Sequence, residues 1–157
     1  MKDSENNVLA QISNDGTDTR YPVCVYDGFS AADVAVSCRF KTVDGRVDRT
    51  AGLVARYLNE QNYYVVRANA LEGNVRLYRV VAGVRTQIAG ANSPVDSGRW
   101  HDLALHVTGN HFEVVYENRL LFSADDAALK GEGKIGLWTK ADSVTWFDDL
   151  RFKSLER

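Results

Sequence analysis

The chain has 157 residues, 45% of them apolar and 25% charged, which is enough for one domain spanning 1–157 with a substantial core. Lys and Arg number 19 against 21 Asp and Glu, and the net charge of −2 lacks the basic surplus of a nucleic-acid or anionic-membrane binder. No apolar run approaches the roughly 20 residues of a spanning helix, and the polar start MKDSENNVLAQIS lacks the apolar stretch of a secretory signal, leaving a cytoplasmic protein or a mature secreted or periplasmic one.

Short runs rich in Val, Tyr, Phe and Leu, with apolar and polar residues alternating, predict strands. In chain order they fall over 8–13, 21–26, 33–40, 51–57, 62–69, 74–81, 84–89, 99–107, 111–117, 119–123, 133–138 and 144–152. Turn residues punctuate them at Asp44-Gly45, Glu72-Gly73-Asn74, Ala82-Gly83, Gly109-Asn110 and Glu117-Asn118. Only Ala124–Lys130 (ADDAALK) reads as a helical turn. Many short strands with no alternating helix exclude a Rossmann or TIM architecture and predict an all-β antiparallel sandwich or barrel. Cys24 and Cys38 sit in strand-like contexts and read as two free thiols packed as small apolar groups. A disulfide between them requires Cα atoms within about 7 Å. No zinc-type Cys/His spacing occurs.

Alternation also assigns faces. In 62–69, Tyr64, Val66 and Ala68 form an apolar row, opposite a mixed row of Tyr63, Val65, Arg67 and Asn69. In 52–57 the rows are Leu53, Ala55, Tyr57 and Gly52, Val54, Arg56. Arginine and asparagine among large apolar residues predict a sheet face that is partly wet and grooved.

An ordered set of local patterns runs through the chain: Gly52-Leu53-Val54-Ala55-Arg56-Tyr57, the NYYVVRANA run over 62–70, Gly98-Arg99-Trp100-His101, and a hairpin from Phe112 to Asn118-Arg119-Leu120-Leu121-Phe122. GLWTKADS over 136–143 and Phe147-Asp148-Asp149 complete it. Over 29–152 this resembles the concanavalin A-like (laminin G-like) jelly-roll superfamily, and within it bacterial domains of uncharacterised function related to the keto-disaccharide hydrolase, glycosyl-hydrolase group. The resemblance implies one jelly-roll β-sandwich of two antiparallel sheets with a shallow groove on its concave face. It also implies a carbohydrate or glycan-like ligand; the charge balance and the lack of a long apolar run argue against nucleic acid and a membrane span as partners, and oligomeric state stays open.

Sugar recognition needs an aromatic platform for C–H faces and planar polar groups for hydroxyls. The residues that fit are Arg56, Tyr63, Arg67, Asn69, Tyr78, Trp138, Lys140 and Asp142. If Arg67 lies in an open hollow, its replacement by alanine abolishes glycan binding and leaves the melting temperature little changed. Glycoside hydrolysis needs paired carboxyl groups about 5–5.5 Å apart for retention or about 6.5–9.5 Å for inversion. The Glu-x-Asp-x-x-Glu strand motif of jelly-roll glucanases is absent. Asp125/Asp126 and Asp148/Asp149 are sequence neighbours whose side chains point to opposite faces of a strand. A dyad from distant segments, such as Glu72 with Asp142, is not detectable from sequence. No catalytic residue is therefore assigned. The leading reading is a non-catalytic or accessory carbohydrate-binding module; the alternatives are a glycosyl-hydrolase-related enzyme acting on a modified disaccharide and a laminin G-like protein-interaction module. The superfamily often carries calcium, to which Asp148 or Asp149 could lend a carboxylate, but no metal or cofactor is assigned. His101, His106 and His111 receive no role, since His101 and His111 have no acid partner at catalytic spacing. Neither a Gly-x-Ser-x-Gly elbow nor a phosphate-binding glycine loop occurs.

Overall fold

Period-two alternation resolves the chain into fourteen β-strands; a computed structural model describes residues 2–3 and 6–155, and none of these is helical. The strands are β1 (Lys2–Asp3), β2 (Asn6–Asn7), β3 (Leu9–Gln11), β4 (Val23–Ala31), β5 (Val34–Asp44), β6 (Thr50–Asn59) and β7 (Asn62–Asn69). They continue as β8 (Asn74–Val81), β9 (Val84–Asn92), β10 (His101–Thr108), β11 (His111–Tyr116), β12 (Arg119–Asp125), β13 (Gly133–Trp138) and β14 (Val144–Ser154). The twelve from β3 onward match the twelve predicted, and β7, β8 and β13 have the predicted bounds. The paired two-residue strands β1 and β2 were not anticipated, being too short to show alternation.

Two six-stranded sheets pack face to face, one ordered β12-β11-β10-β5-β14-β3 and the other β4-β13-β6-β7-β8-β9. All neighbours are antiparallel. The inner rows form the core: Leu53, Ala55, Tyr64, Val66, Ala68 and Leu77 meet Val36, Cys38, Phe40, Leu103, Leu105 and Phe112. The row Tyr64, Val66, Ala68 thus faces inward as its alternation predicts. Both cysteines are free; Cys24 is exposed, while Cys38 is buried and its thiol is pushed up by burial.

The Ala124–Lys130 helical turn does not form. β12 runs on through Asp125, and the Asp126 carboxylate is spent on tertiary partners. It accepts the Tyr64 hydroxyl at 2.7 Å and the Arg79 guanidinium at 2.6 Å, and it caps the Ala128 N–H at 3.0 Å. Such a side-chain bond to the backbone competes with a helix. His111, left without an acid partner in the sequence, meets Asp125 at 2.9 Å because β11 and β12 pair those two positions. His101 likewise lies 3.4 Å from Glu117.

Arg56 is the main departure from the predicted faces. Its φ of 49° is left-handed, and the register between β6 and β7 shifts after Ala55. A bulge of this kind reverses the faces beyond it. Arg56 therefore turns into the sandwich, 1% exposed, and Tyr57 turns outward onto Tyr63. The guanidinium donates to the carbonyls of Ala32 (2.8 Å), Leu129 (2.8 Å) and Gly109 (2.7 Å), and meets Asp33 at 3.4 Å. Asp33 also accepts the Gly109 N–H at 2.9 Å. Opposite the bulge sits Gly133, where a Cβ would lie 2.5 Å or less from the Arg56 backbone. Replacing Arg56 with leucine would take the cation away from the Asp33 carboxylate and the guanidinium donors away from three carbonyls. We expect a loss of about 3–5 kcal/mol, read as a large drop in the urea midpoint with an unchanged m-value.

Candidate functional site

The outer face of the β4-β13-β6-β7-β8-β9 sheet is not a plain polar surface. Its centre is a carpet of Val54, Val65, Val80, Tyr63, Tyr78 and Trp138, all buried although they point away from the core. Antiparallel register sets the rows: Val65 pairs with Val54 and Tyr78, and Arg67 with Gly52 and Arg76. Gly52 is needed there, since a Cβ would meet the Trp138 ring at 3.0 Å and the Val66 carbonyl at 2.9 Å.

Stacked planes cover this carpet. The Tyr21 ring lies on Trp138 with centroids 5.8 Å apart and 18° between planes. The Arg85 guanidinium sits 4.4 Å from the Tyr78 centroid and 5.6 Å from that of Tyr21. Trp138 is consequently 1% exposed, and its indole N–H is directed to the Tyr63 hydroxyl at 3.3 Å. The accessible ring is that of Tyr21, 37% exposed.

Beyond Tyr78 lies a polar network at the β7–β8 end. Arg67 donates to Asn74, to Glu72 at 3.1 Å and to the Tyr78 hydroxyl at 3.2 Å. Arg76 reaches the same Glu72 oxygen at 3.7 Å. Burial works against the charged form of Glu72, but Arg67, Asn74 and Arg76 outweigh it and hold the carboxyl below its ordinary range.

The eight residues singled out from sequence therefore separate. Tyr63, Arg67, Tyr78 and Trp138 share the outer face. Arg56 does not: the bulge sends it inside, and its donors are taken by backbone carbonyls. Asn69 closes the β7–β8 turn. Its amide donates to Asp48 at 2.9 Å, and its side-chain oxygen accepts the Leu71 and Glu72 N–H groups, each at 2.9 Å. Lys140 lies 3.0 Å from Asp18 and 3.6 Å from Asp48, joining the segment before β4 to the β5–β6 loop. Burial pushes the Asp48 carboxyl up, opposed by the Arg49 N–H and Lys140.

Asp142 accepts the backbone N–H groups of Arg46 (2.8 Å), Val47 (3.1 Å) and Asp48 (2.9 Å). Burial opposes its ionisation, yet these bonds prevail and hold its carboxyl below the usual value. Glu72 and Asp142 are both held below their ordinary carboxyl range, whereas a hydrolytic pair needs one member protonated, and the Asp142 oxygens are turned into the β5–β6 loop. Of the two aspartates that the resemblance links to calcium, Asp148 accepts the Asn6 amide and Asp149 lies 4.0 Å from Arg39, and among the described residues no three His, Cys, Asp or Glu side chains gather.

Sequence reasoning missed Tyr21, Glu72, Arg76 and Arg85 as parts of this face. Arg76 and Arg85 were legible, since each pairs across the sheet with a position of the Tyr63 row or its neighbour. Tyr21 precedes its strand and carries no periodic signal.

The sign of the Asp142 effect can be tested. A depressed carboxyl stabilises the fold above its unfolded value, near 3.8, and that contribution is lost as pH falls through the lower folded value. Asp142→Asn should cost about 2–3 kcal/mol at neutral pH, roughly 5–10 °C in Tm. By calorimetry, the gap to the native chain should narrow as pH drops below about 4; a gap independent of pH would refute this role.

No protein-family model matches the sequence, and no curated protein does. Solved structures do. The carbohydrate binding module CBM66 from Bacillus subtilis is similar with a TM-score of 0.76 at 23% identity, over 81% of this chain and 78% of that one. A Parabacteroides distasonis protein, provisionally named a glycosyl hydrolase, gives 0.68 at 16% identity over 94% and 87%. CG-16, a homodimeric agglutinin from chicken liver, gives 0.64 at 9% identity over 85% and 100%. At such identities the likeness is one of fold alone: two six-stranded antiparallel sheets packed as a jelly-roll β-sandwich.

Proposed function

We propose that the outer face of β6–β9, bordered by Tyr21, binds carbohydrate as a non-catalytic module. The observation that carries this reading is the continuous series Trp138–Tyr21–Arg85–Tyr78–Arg67, in which ring and guanidinium planes adjoin a fork network of Arg67, Glu72, Asn74 and Arg76. Planar apolar surface suits the C–H face of a sugar ring, and the forks suit vicinal hydroxyls. Ionised Glu72 supplies the acceptor between two guanidinium donors. The carbohydrate-binding module and the agglutinin that share the fold add support by analogy.

Arg67 is a poor probe of this reading. Only 4% exposed and bonded to three side chains, it supports the network as much as it presents it. Arg67→Ala should therefore lower stability as well as binding, which revises the clean loss of binding expected from sequence. Better probes are Arg76 and Arg85, which are partly exposed. We expect Arg76→Ala and Arg85→Ala each to weaken binding to neutral glycans on an array by about tenfold, with Tm within about 2 °C of the native chain. Full retention of glycan binding by both variants would remove this face as the site.

A further inference from the structure

The opposite side of the sandwich carries a second polar hollow. On the outer face of the β12-β11-β10-β5-β14-β3 sheet, a cleft of about 230 Å³ includes Ser37, Arg39, Asp102, Asn118, Asp149 and Arg151. A second cleft of about 300 Å³ shares Ser37 and Arg151 with it and extends toward His106 and Lys153. The floor is low because short side chains, Ala35, Ser37 and Ala104, occupy the outward positions of the central strands.

Arg39 is the centre of the first cleft. Its guanidinium lies between two carboxylates, 3.9 Å from Asp102 and 4.0 Å from Asp149, with all three side chains nearly half exposed. Both separations exceed a hydrogen bond. The ring of Trp100 backs the guanidinium at 5.2 Å. Asp149 is held in place by a local device: its φ of 51° and the register shift in β14 between Asp148 and Arg151 form a bulge that turns its carboxylate toward Arg39. Asn118, in the β11–β12 turn with φ 63°, brings an amide to the same hollow.

We propose that this groove is a second carbohydrate site, for a neutral oligosaccharide, distinct from the face that holds Tyr78 and Arg85. Arg39 offers forked donors that its acid neighbours do not consume, the two carboxylates offer acceptors on either side, and Asn118 offers both. Donors and acceptors alternating over a few ångströms match vicinal hydroxyls. An anion would meet the two carboxylates that already flank Arg39 and would be repelled. The adjoining cleft gives the groove the length for more than one sugar unit.

The test is a heteronuclear NMR titration of the full chain with cellohexaose, xylohexaose, mannohexaose and maltohexaose, and separately with inorganic phosphate. At least one hexasaccharide should move the Trp100 indole signal and the backbone amides of Arg39, Asp102 and Asp149. Arg39→Ala should weaken that response by about tenfold or more while leaving shifts on the Tyr78 face intact. Arg151→Ala gives a second reading at an exposed position that does not anchor the fold, and each variant is accepted once its melting temperature matches the native chain. Three results overturn the proposal: no movement of these signals with any hexasaccharide, movement unaltered in both variants, or movement with phosphate alone. Shifts confined to Arg76, Tyr78 and Arg85 would refute the second site and uphold the first. The reverse pattern would do the opposite.

Discussion

The fold hangs on one buried guanidinium. Arg56 ties together three segments that alternation alone would leave independent: the turn between β4 and β5 through Ala32 and Asp33, the β10–β11 turn through Gly109, and the stretch before β13 through Leu129. These segments come from both sheets, so the clamp fixes how the layers sit at that end of the sandwich. A charge so deep is tolerable only because carbonyl dipoles and one carboxylate replace its water. A lysine could not reproduce it, since one ammonium cannot span three divergent carbonyls and Asp33.

With the inner rows committed to the core, the outward rows inherit what remains of a largely apolar set of strands. Val54 and Val65 would be exposed on a solvent-facing sheet, and the chain covers them with wide flat groups, Tyr63, Tyr78, Trp138 and Tyr21, locked by Arg67 and Arg85. The cover is thus a structural necessity, and the proposed glycan site is built from the same groups. This explains why so many of its members are buried yet belong to no inter-sheet core. It also explains why deleting one of its buried members, Tyr63, Tyr78, Trp138 or Arg67, would mix stability with binding.

Strand content was legible because period two is a local signal and survives in Val- and Tyr-rich runs. Face assignment was legible only as far as the register stays regular. It held for Tyr64, Val66 and Ala68 and failed at Arg56, where a left-handed residue other than glycine or asparagine gives no letter by which to see the bulge. Trp138 was visible as an aromatic beside a loop, but its covering by Tyr21 depends on a segment more than a hundred residues away. Asn69, Asp142 and Lys140 have the chemistry of ligand-binding residues and spend most of it on backbone groups and nearby carboxylates. Distinguishing a polar side chain that builds a loop from one that serves a ligand requires its partners, and those partners are distant in sequence.

The two outer faces differ in how much of their geometry is set in advance. On the β6–β9 face, Arg67 is bonded to three side chains and Arg85 is stacked between two rings, so a ligand orders little that is not already ordered. On the other face, Arg39 stands off both carboxylates beyond bonding distance, and binding must draw it into place. Ordering one such side chain costs about 0.5–1.5 kcal/mol. If both proposed sites bind glycan, the stacked face is therefore expected to make the tighter contact and the groove around Arg39 the weaker one. A chain carrying both on opposite sides could hold two strands of glycan at once, and the weaker contact would matter most where the stronger one has already raised the local concentration.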